Sequence, residues 1–217
     1  MPKVRKLDIV QRFTTRAQAE RYRDRFGRGR HRRAHEREAK ALKVLLGRLS
    51  DVEVVLDVGS GVGRFVPIFM KHCVRLIQTD FSKYMLDVSR DAYSGDFTTA
   101  EHIQSDARHL PFAEDSVDLV FCHRLLNHLP DPYERSWVMR NLARVSRRYV
   151  VFSCLGPPVA LRSLRRMYER LKHVDSVDGH VAASSLAFDA CECGLRLLYR
   201  TPIRSFPVLG EFFTFVK

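Results

Sequence analysis

The sequence predicts an α/β fold, a mostly parallel sheet covered by helices on both faces, and three observations carry that expectation. Short β-branched runs alternate with helix-length segments between residues 52 and 154. A glycine cluster stands where the first of these runs turns into a helix. The last two strand-like runs have no helix-length segment between them, so the sheet should end antiparallel.

The elements follow in order. Residues 15–48 read as helical, with a break near Gly27 to Arg30; Leu42, Leu45, Leu46 and Leu49 then repeat at i, i+3, i+4 and i+7. That stripe is the face of a helix docked on a core. The Arg-rich stretch before it carries little apolar surface and is expected to order only on a ligand. Residues 52–58 form the first strand and 64–72 a helix burying Phe65, Ile68 and Phe69, with Pro67 tolerated in its first turn. Residues 74–79 are the second strand, and Ser82 caps a helix that runs to about Tyr93. Residues 101–104 and 117–122 are the third and fourth strands. Asp131-Pro132-Tyr133-Glu134 opens the next helix with an N-cap acid, a proline at the first position and a glutamate three residues after the cap. Residues 149–154 are the fifth strand, and 195–200 and 212–216 pair antiparallel across a loop containing Pro202 and Pro207.

Residues 1–49 are therefore expected as a basic helical segment, a lid or docking arm, on a domain spanning 50–217 with an Arg-rich helical insertion at about 159–173. The chain has 217 residues, 37 Lys and Arg against 25 Asp and Glu, and a net charge of +12. Residues 1–50 hold 16 of those bases and 5 of the acids, so the remainder is close to neutral. Such a block suits anionic partners or a solvated helix face. Five cysteines, three of them in or beside apolar runs, read as small buried hydrophobes in a reducing compartment. The start lacks an apolar signal region and no run reaches the length of a membrane span, so a soluble cytoplasmic protein is expected.

The site is written in three places. Asp57-Val58-Gly59-Ser60-Gly61-Val62-Gly63-Arg64 turns a strand into a helix, its glycines allowing a tight turn and close ligand approach. It is neither a G-x-G-x-x-G loop nor a P-loop. Asp80 ends the second strand 21 residues after Gly59, the place from which an acid accepts hydrogen bonds from ribose hydroxyls. Asp106-Ala107 follows the third strand, a carboxylate beside a small residue that suits an adenine amino group. With His123 at the end of the fourth strand, these residues converge on the crevice where open α/β sheets bind ligands.

These residues resemble the class I S-adenosylmethionine (SAM)-dependent methyltransferases, especially the group related to ubiquinone and menaquinone methyltransferases. The resemblance covers roughly residues 50–155. It implies a Rossmann-like seven-stranded sheet with an antiparallel last strand, SAM as cofactor and S-adenosylhomocysteine (SAH) as product. It implies that Asp57, Gly59, Gly61 and Gly63 wrap the methionine part and that Asp80 holds the ribose. Met85 or Phe81 would cover the adenine, Asp106 and Ala107 would contact its edge, and His123 would line the site beneath the sulfonium. Leu126-Asn127-His128-Leu129-Pro130-Asp131 is similar to the stretch that follows the family's fourth strand.

Methyl transfer is an in-line displacement in which the protein mainly aligns the reactants. A general base is needed only when the acceptor must lose a proton, and His123, then His128, are the candidate catalytic residues. No metal is expected: Cys191-x-Cys193 lacks a second pair, and His31 and His35 lack the accompanying glutamate. His123-Arg124-Leu125-Leu126 stands where relatives that methylate exocyclic base amines have Asn/Asp-Pro-Pro-Tyr/Phe. The leading expectation is a small anionic or amphipathic acceptor, met in solution or at an anionic lipid surface. Beside it stand a methyltransferase of RNA or nucleic-acid-bound protein using the Arg-rich arm, less favoured because the arm has few aromatics, and a non-catalytic SAM-fold binding protein.

Overall fold

Thr15 and Gln18 form a reciprocal capping box, and the chain enters helix α1 (Arg16–Asp24) from it. The computed structural model that shows this describes residues 13–94, 100–129, 131–155, 183–204 and 210–217. A 3-10 turn (Arg25–Gly27) follows α1, and Gly29, at φ 61°, redirects the chain into α2 (Gly29–Leu46). The expected break is thus a tight turn plus a left-handed glycine. α2 buries Ala41, Leu42, Leu45 and Leu46 against Val55, Phe69 and Leu76, as its leucine stripe predicts.

The Arg-rich stretch ahead of α2 is a helix with packing partners of its own, where the sequence pattern pointed to ordering only on a ligand. Ala19 is fully buried beside Val62, Met85 and Val88. One small side chain lets α1 approach the body closely, a contact that a hydrophobic count over an Arg-rich segment misses.

Seven strands form one sheet: β1 (Val54–Val58), β2 (Arg75–Asp80), β3 (Ala100–Gln104), β4 (Val117–Cys122), β5 (Ser146–Leu155), β6 (Arg196–Arg204) and β7 (Gly210–Val216). Their order is β3-β2-β1-β4-β5-β7-β6; the first five are parallel and β7 runs antiparallel to both neighbours. The fold class read from the sequence is the one observed. β4 is buried at every position, and its residues alternate between the two cores, Val120 and Cys122 on one face and Leu119 and Phe121 on the other. β6 is an edge strand, which lets it run on through Pro202 to Arg204 with a register shift between them.

The remaining helices show where local chemistry was legible. α4 (Lys83–Tyr93) starts at Ser82 and α5 (Pro132–Val145) at Asp131, each side chain accepting a backbone N–H of the first turn. The helix expected at 64–72 shrinks to α3 (Val66–Phe69). Bonds from Val66 N to Gly63 O and from His72 N to Phe69 O tighten both of its ends into turns. α6 (Ala183–Cys191) had no sequence signal: it buries only Leu186 and Ala190 and leaves Phe188 exposed. The expected insertion at 159–173 lies outside the described residues. Cys122 and Cys154 are buried as expected, whereas Cys73 is half-buried. Among the described residues no helix is long and apolar enough to cross a membrane.

Leu42 is fully buried in the core shared by α2 and the sheet. Leu42→Ala should lower the unfolding free energy by about 2–5 kcal/mol, as for core truncations generally. Urea titration checks this; a loss near zero would mean that α2 is not part of the core.

Candidate functional site

The connection from β3 returns across the sheet to place β4 beside β1, so strand order reverses between those two strands. A cavity of about 750 Å³ lies at their carboxyl ends, and α1, the 3-10 turn and α2 contribute part of its wall through Tyr22, Arg25, and Arg30 with His31, respectively. The glycine loop is folded back over β2, because Gly59 N and Ser60 N both donate to Thr79 O, at 2.8 and 2.9 Å. Gly59 and Gly61 have φ of 70° and 58° and line the cavity. A Cβ on Gly59 would come within 3.4 Å of the Leu125 side chain, whereas one on Gly61 would meet nothing within 4 Å.

Gly63 differs from the other residues expected to hold a cofactor. It is not in the cavity wall, and a Cβ there would stand 2.0 Å from Ser89 Oγ. Its place is the contact between the loop and α4. The same spacing that brings the other two glycines to the cavity turns the third toward the neighbouring helix.

Asp80 ties the loop to the next helix: Oδ2 accepts from Gly61 N and Oδ1 from Ser82 N, both at 2.9 Å. Ser82 is at once the helix cap and a donor to Phe13 O. Each Asp80 oxygen keeps a second lone pair for a ligand. Burial raises the Asp80 pKa, against the backbone bonds from Ser82 and Gly61. Asp57 is 2% exposed, and its Oδ2 has no hydrogen-bond partner among the described residues. Burial pushes its pKa up to about 7, with Arg64 opposing and the Asp80 charge adding. At Asp106 burial also works upward, but the guanidinium of Arg108, bonded at 2.6–3.0 Å, outweighs it and lowers the pKa. Ala107, Phe81 and Met85 complete this end of the cavity.

A second constellation was missed in the sequence. Glu38, on α2, is 1% exposed and accepts from Arg64 Nη1 at 3.0 Å and from Arg124 Nη2. Arg64 follows the glycine loop, and Arg124 follows β4 at φ 67°, its N–H donating to Ser153 Oγ at 2.8 Å. Burial alone would raise the Glu38 pKa, yet the His123 ring when protonated, and the guanidinium groups of Arg124 and Arg64 whatever the state of that ring, hold it below the usual carboxylate range. A signal existed: Glu38 precedes Leu42 by one helical turn and so continues the leucine stripe.

The family model for a methyltransferase domain matches residues 56–154, the span from β1 to β5. Relatives in the menaquinone and ubiquinone group are similar to about half of the chain, over 117 and 105 residues. Residues 56–154 therefore belong to the methyltransferase-domain family, and the named relatives are similar to this chain as SAM-dependent methyltransferases of class I. The bifunctional biotin-biosynthesis protein of Cellvibrio japonicus is 30% identical over 148 residues, which cover 66% of this chain and 28% of that protein. The demethylmenaquinone methyltransferase of Clavibacter sepedonicus is 30% identical over 117 residues, 54% of this chain and 46% of that protein. The chain spans less than half the length of these curated relatives. The magnesium protoporphyrin IX methyltransferase of Synechocystis, solved with bound SAH, shares the fold with a TM-score of 0.78 at 17% identity, over 96% of this chain and 98% of that one.

Both candidate histidines lie in the cavity wall. His123 lines the cavity but its ring is 8% exposed or less, stacked on Phe121 and flanked by Phe65 and Phe212. Its Nε2 accepts from Arg124 Nε at 3.2 Å and lies 3.4 Å from Glu38. One nitrogen cannot accept from one and donate to the other at once, and the shorter contact favours the acceptor form. Burial pushes the ring down to about 4, against the pull of Glu38 and with the help of Arg124 and Arg64. His128 also lines the cavity.

The His123 shift has a consequence for stability. Between pH 6.5, its ordinary value, and about 4, the unfolded chain binds a proton there that the folded chain does not. Stability should therefore fall as pH drops through that window, by at most about 1.4 kcal/mol per unit from this residue. Urea unfolding at pH 7, 6 and 5 should show a shallower fall for His123→Asn. Equal slopes would mean that Glu38 keeps the folded ring charged.

Proposed function

We propose that this chain transfers a methyl group from SAM to a small anionic or amphipathic acceptor by in-line displacement. One observation carries the reading: Asp57, Asp80 and Asp106, from the ends of three strands, meet Gly59 and Gly61 around a single cavity of about 750 Å³. That size is within the range of small-molecule sites and leaves room for an acceptor beside the donor.

The side chains fit the donor part by part. The unpaired Asp57 oxygen suits an ammonium group, which would also favour the ionised carboxylate. Asp80 has lone pairs for ribose hydroxyls, and Asp106 with Ala107 suits an adenine amino group. Met85 and the partly exposed Phe81 offer apolar surface for the base. When bound, SAM supplies a methyl group already activated on a sulfonium. The protein's part is alignment, which contributes on the order of 7–11 kcal/mol at best, and exclusion of water by α1 and α2. The described part of the N-terminal segment, residues 13–49, then acts as a docking segment that completes the cavity wall. Solved relatives of this fold hold SAH and SAM, which supports the same ligand here.

Where the acceptor must lose a proton, Nε2 of His123 is not open to receive it while it accepts from Arg124, and His128 is the other candidate base in the wall. His123 then belongs to the wall and to the arginine cluster.

Calorimetric titration with SAH tests the reading. Binding in roughly the micromolar range, about −8 kcal/mol, is expected for the wild type. Asp80→Ala should weaken it at least about tenfold, or 1.4 kcal/mol, with its circular dichroism unchanged. Folded wild-type protein that binds neither SAM nor SAH would overturn the assignment.

A further inference from the structure

We propose that the end of the cavity between α1 and α2 is an oxyanion subsite, where Arg25, Arg30 and His31 receive a carboxylate or phosphate carried by the methyl acceptor. This rests on the methyl-transfer reading above and adds the chemical class and the place of the acceptor.

The distribution of charge in the wall is the first argument. Asp106 and Glu134 both pair with Arg108, and Glu38 is shared by Arg64 and Arg124. Arg64 and Arg124 thus hold one positive charge in excess of Glu38, beside the glycine loop, which matches the single carboxylate of a donor's amino-acid part. Arg25 and Arg30 remain. Both line the cavity, and among the described residues neither has a carboxylate within ion-pair distance. The contacts of Arg25 are the Tyr22 ring, 5.7 Å from its guanidinium carbon, and His31 Nε2 at 3.4 Å.

The start of α2 is the second argument. An 18-residue helix ordinarily places a capping oxygen or an acid at its N-terminus, where backbone N–H groups are unpaired and the helix dipole is positive. Here Arg28 makes no side-chain cap and the first turn holds no acid. It holds Arg30, His31 and Arg32 instead, of which Arg32 is paired with Glu36. Cations at the positive end of a helix violate the local rule, and the two that line the cavity, Arg30 and His31, do so where an anion would relieve it. The His31 pKa is lowered by burial and then by Arg25, Arg30 and Arg124, which marks the local potential as positive.

Inorganic phosphate and butyrate, titrated separately into the SAH-saturated full chain, are the probes. At least one should bind the wild type, and Arg25→Gln/Arg30→Gln should weaken that binding tenfold or more while SAH affinity changes less than threefold. Arg21→Gln/Arg23→Gln removes the same charge from exposed positions outside the cavity and should leave anion binding within threefold; the thermal midpoint of each variant monitors folding. Three results would overturn the subsite: neither anion binds, both double variants lose anion affinity equally, or Arg25→Gln/Arg30→Gln weakens SAH tenfold but not 5′-methylthioadenosine, which lacks the amino-acid part. The last would assign these arginines to the donor. Absence of SAH binding by the folded wild type would overturn the methyl-transfer reading and the subsite together, a result distinct from SAH binding without anion binding.

Discussion

The site depends on one buried carboxylate. Glu38 arrives on a helix from the N-terminal segment and is met by Arg64 from the end of the glycine loop and Arg124 from the end of β4. Desolvating three charges is costly, and such a cluster persists only when each member satisfies the others. It therefore acts as a registration device between α2 and the two strand ends that flank the cavity. Arg124 shows the constraint most directly: a non-glycine residue at φ 67° is held there by its N–H bond to Ser153 and by its guanidinium on Glu38.

That registration sorts the cavity into two ends of different character. The carboxylates of Asp57, Asp80 and Asp106 lie at the ends of β1, β2 and just past β3, with Arg108 bonded to Asp106, whereas Arg25, Arg30 and His31 enter the wall from the N-terminal helical segment. Because Asp57 sits near 7 through burial, a ligand ammonium beside it would favour ionisation and couple binding to proton release. The acidic half is built by the sheet alone, whereas the basic half needs the N-terminal helices in place.

The same division explains what the sequence disclosed. β4 was legible to the residue, because a central strand buried on both faces is a continuous apolar run, and Ser82 and Asp131 were legible because capping is local chemistry. Asp57, Asp80 and Asp106 were legible because their distance from strand ends places them before any packing is known. Glu38, Arg64 and Arg124 were not, since an acid on an apolar helix stripe acquires meaning only when cations 26 and 86 residues away close on it. Gly63 was expected at the cavity through the family resemblance, and only the position of Ser89 shows that it packs against α4. α6 was silent because two buried positions do not make a period.

The N-terminal charge also acquires a structural explanation. As a sum, +11 over the first 50 residues describes only a basic arm. Folded, it divides by helix face. Arg16, Arg23 and Arg32 pair with acids at the surface, at Glu20 and Asp91, Asp24 and Glu36. Such exposed pairs contribute little to stability. Arg25 and Arg30 are turned to the cavity by the 3-10 turn and the left-handed Gly29 between the two helices. The break that interrupts the helical pattern is therefore what brings Arg25 and Arg30 into the cavity wall. A continuous helix through residues 24–30 would carry the same net charge but would not present Arg25 and Arg30 to the cavity in this way.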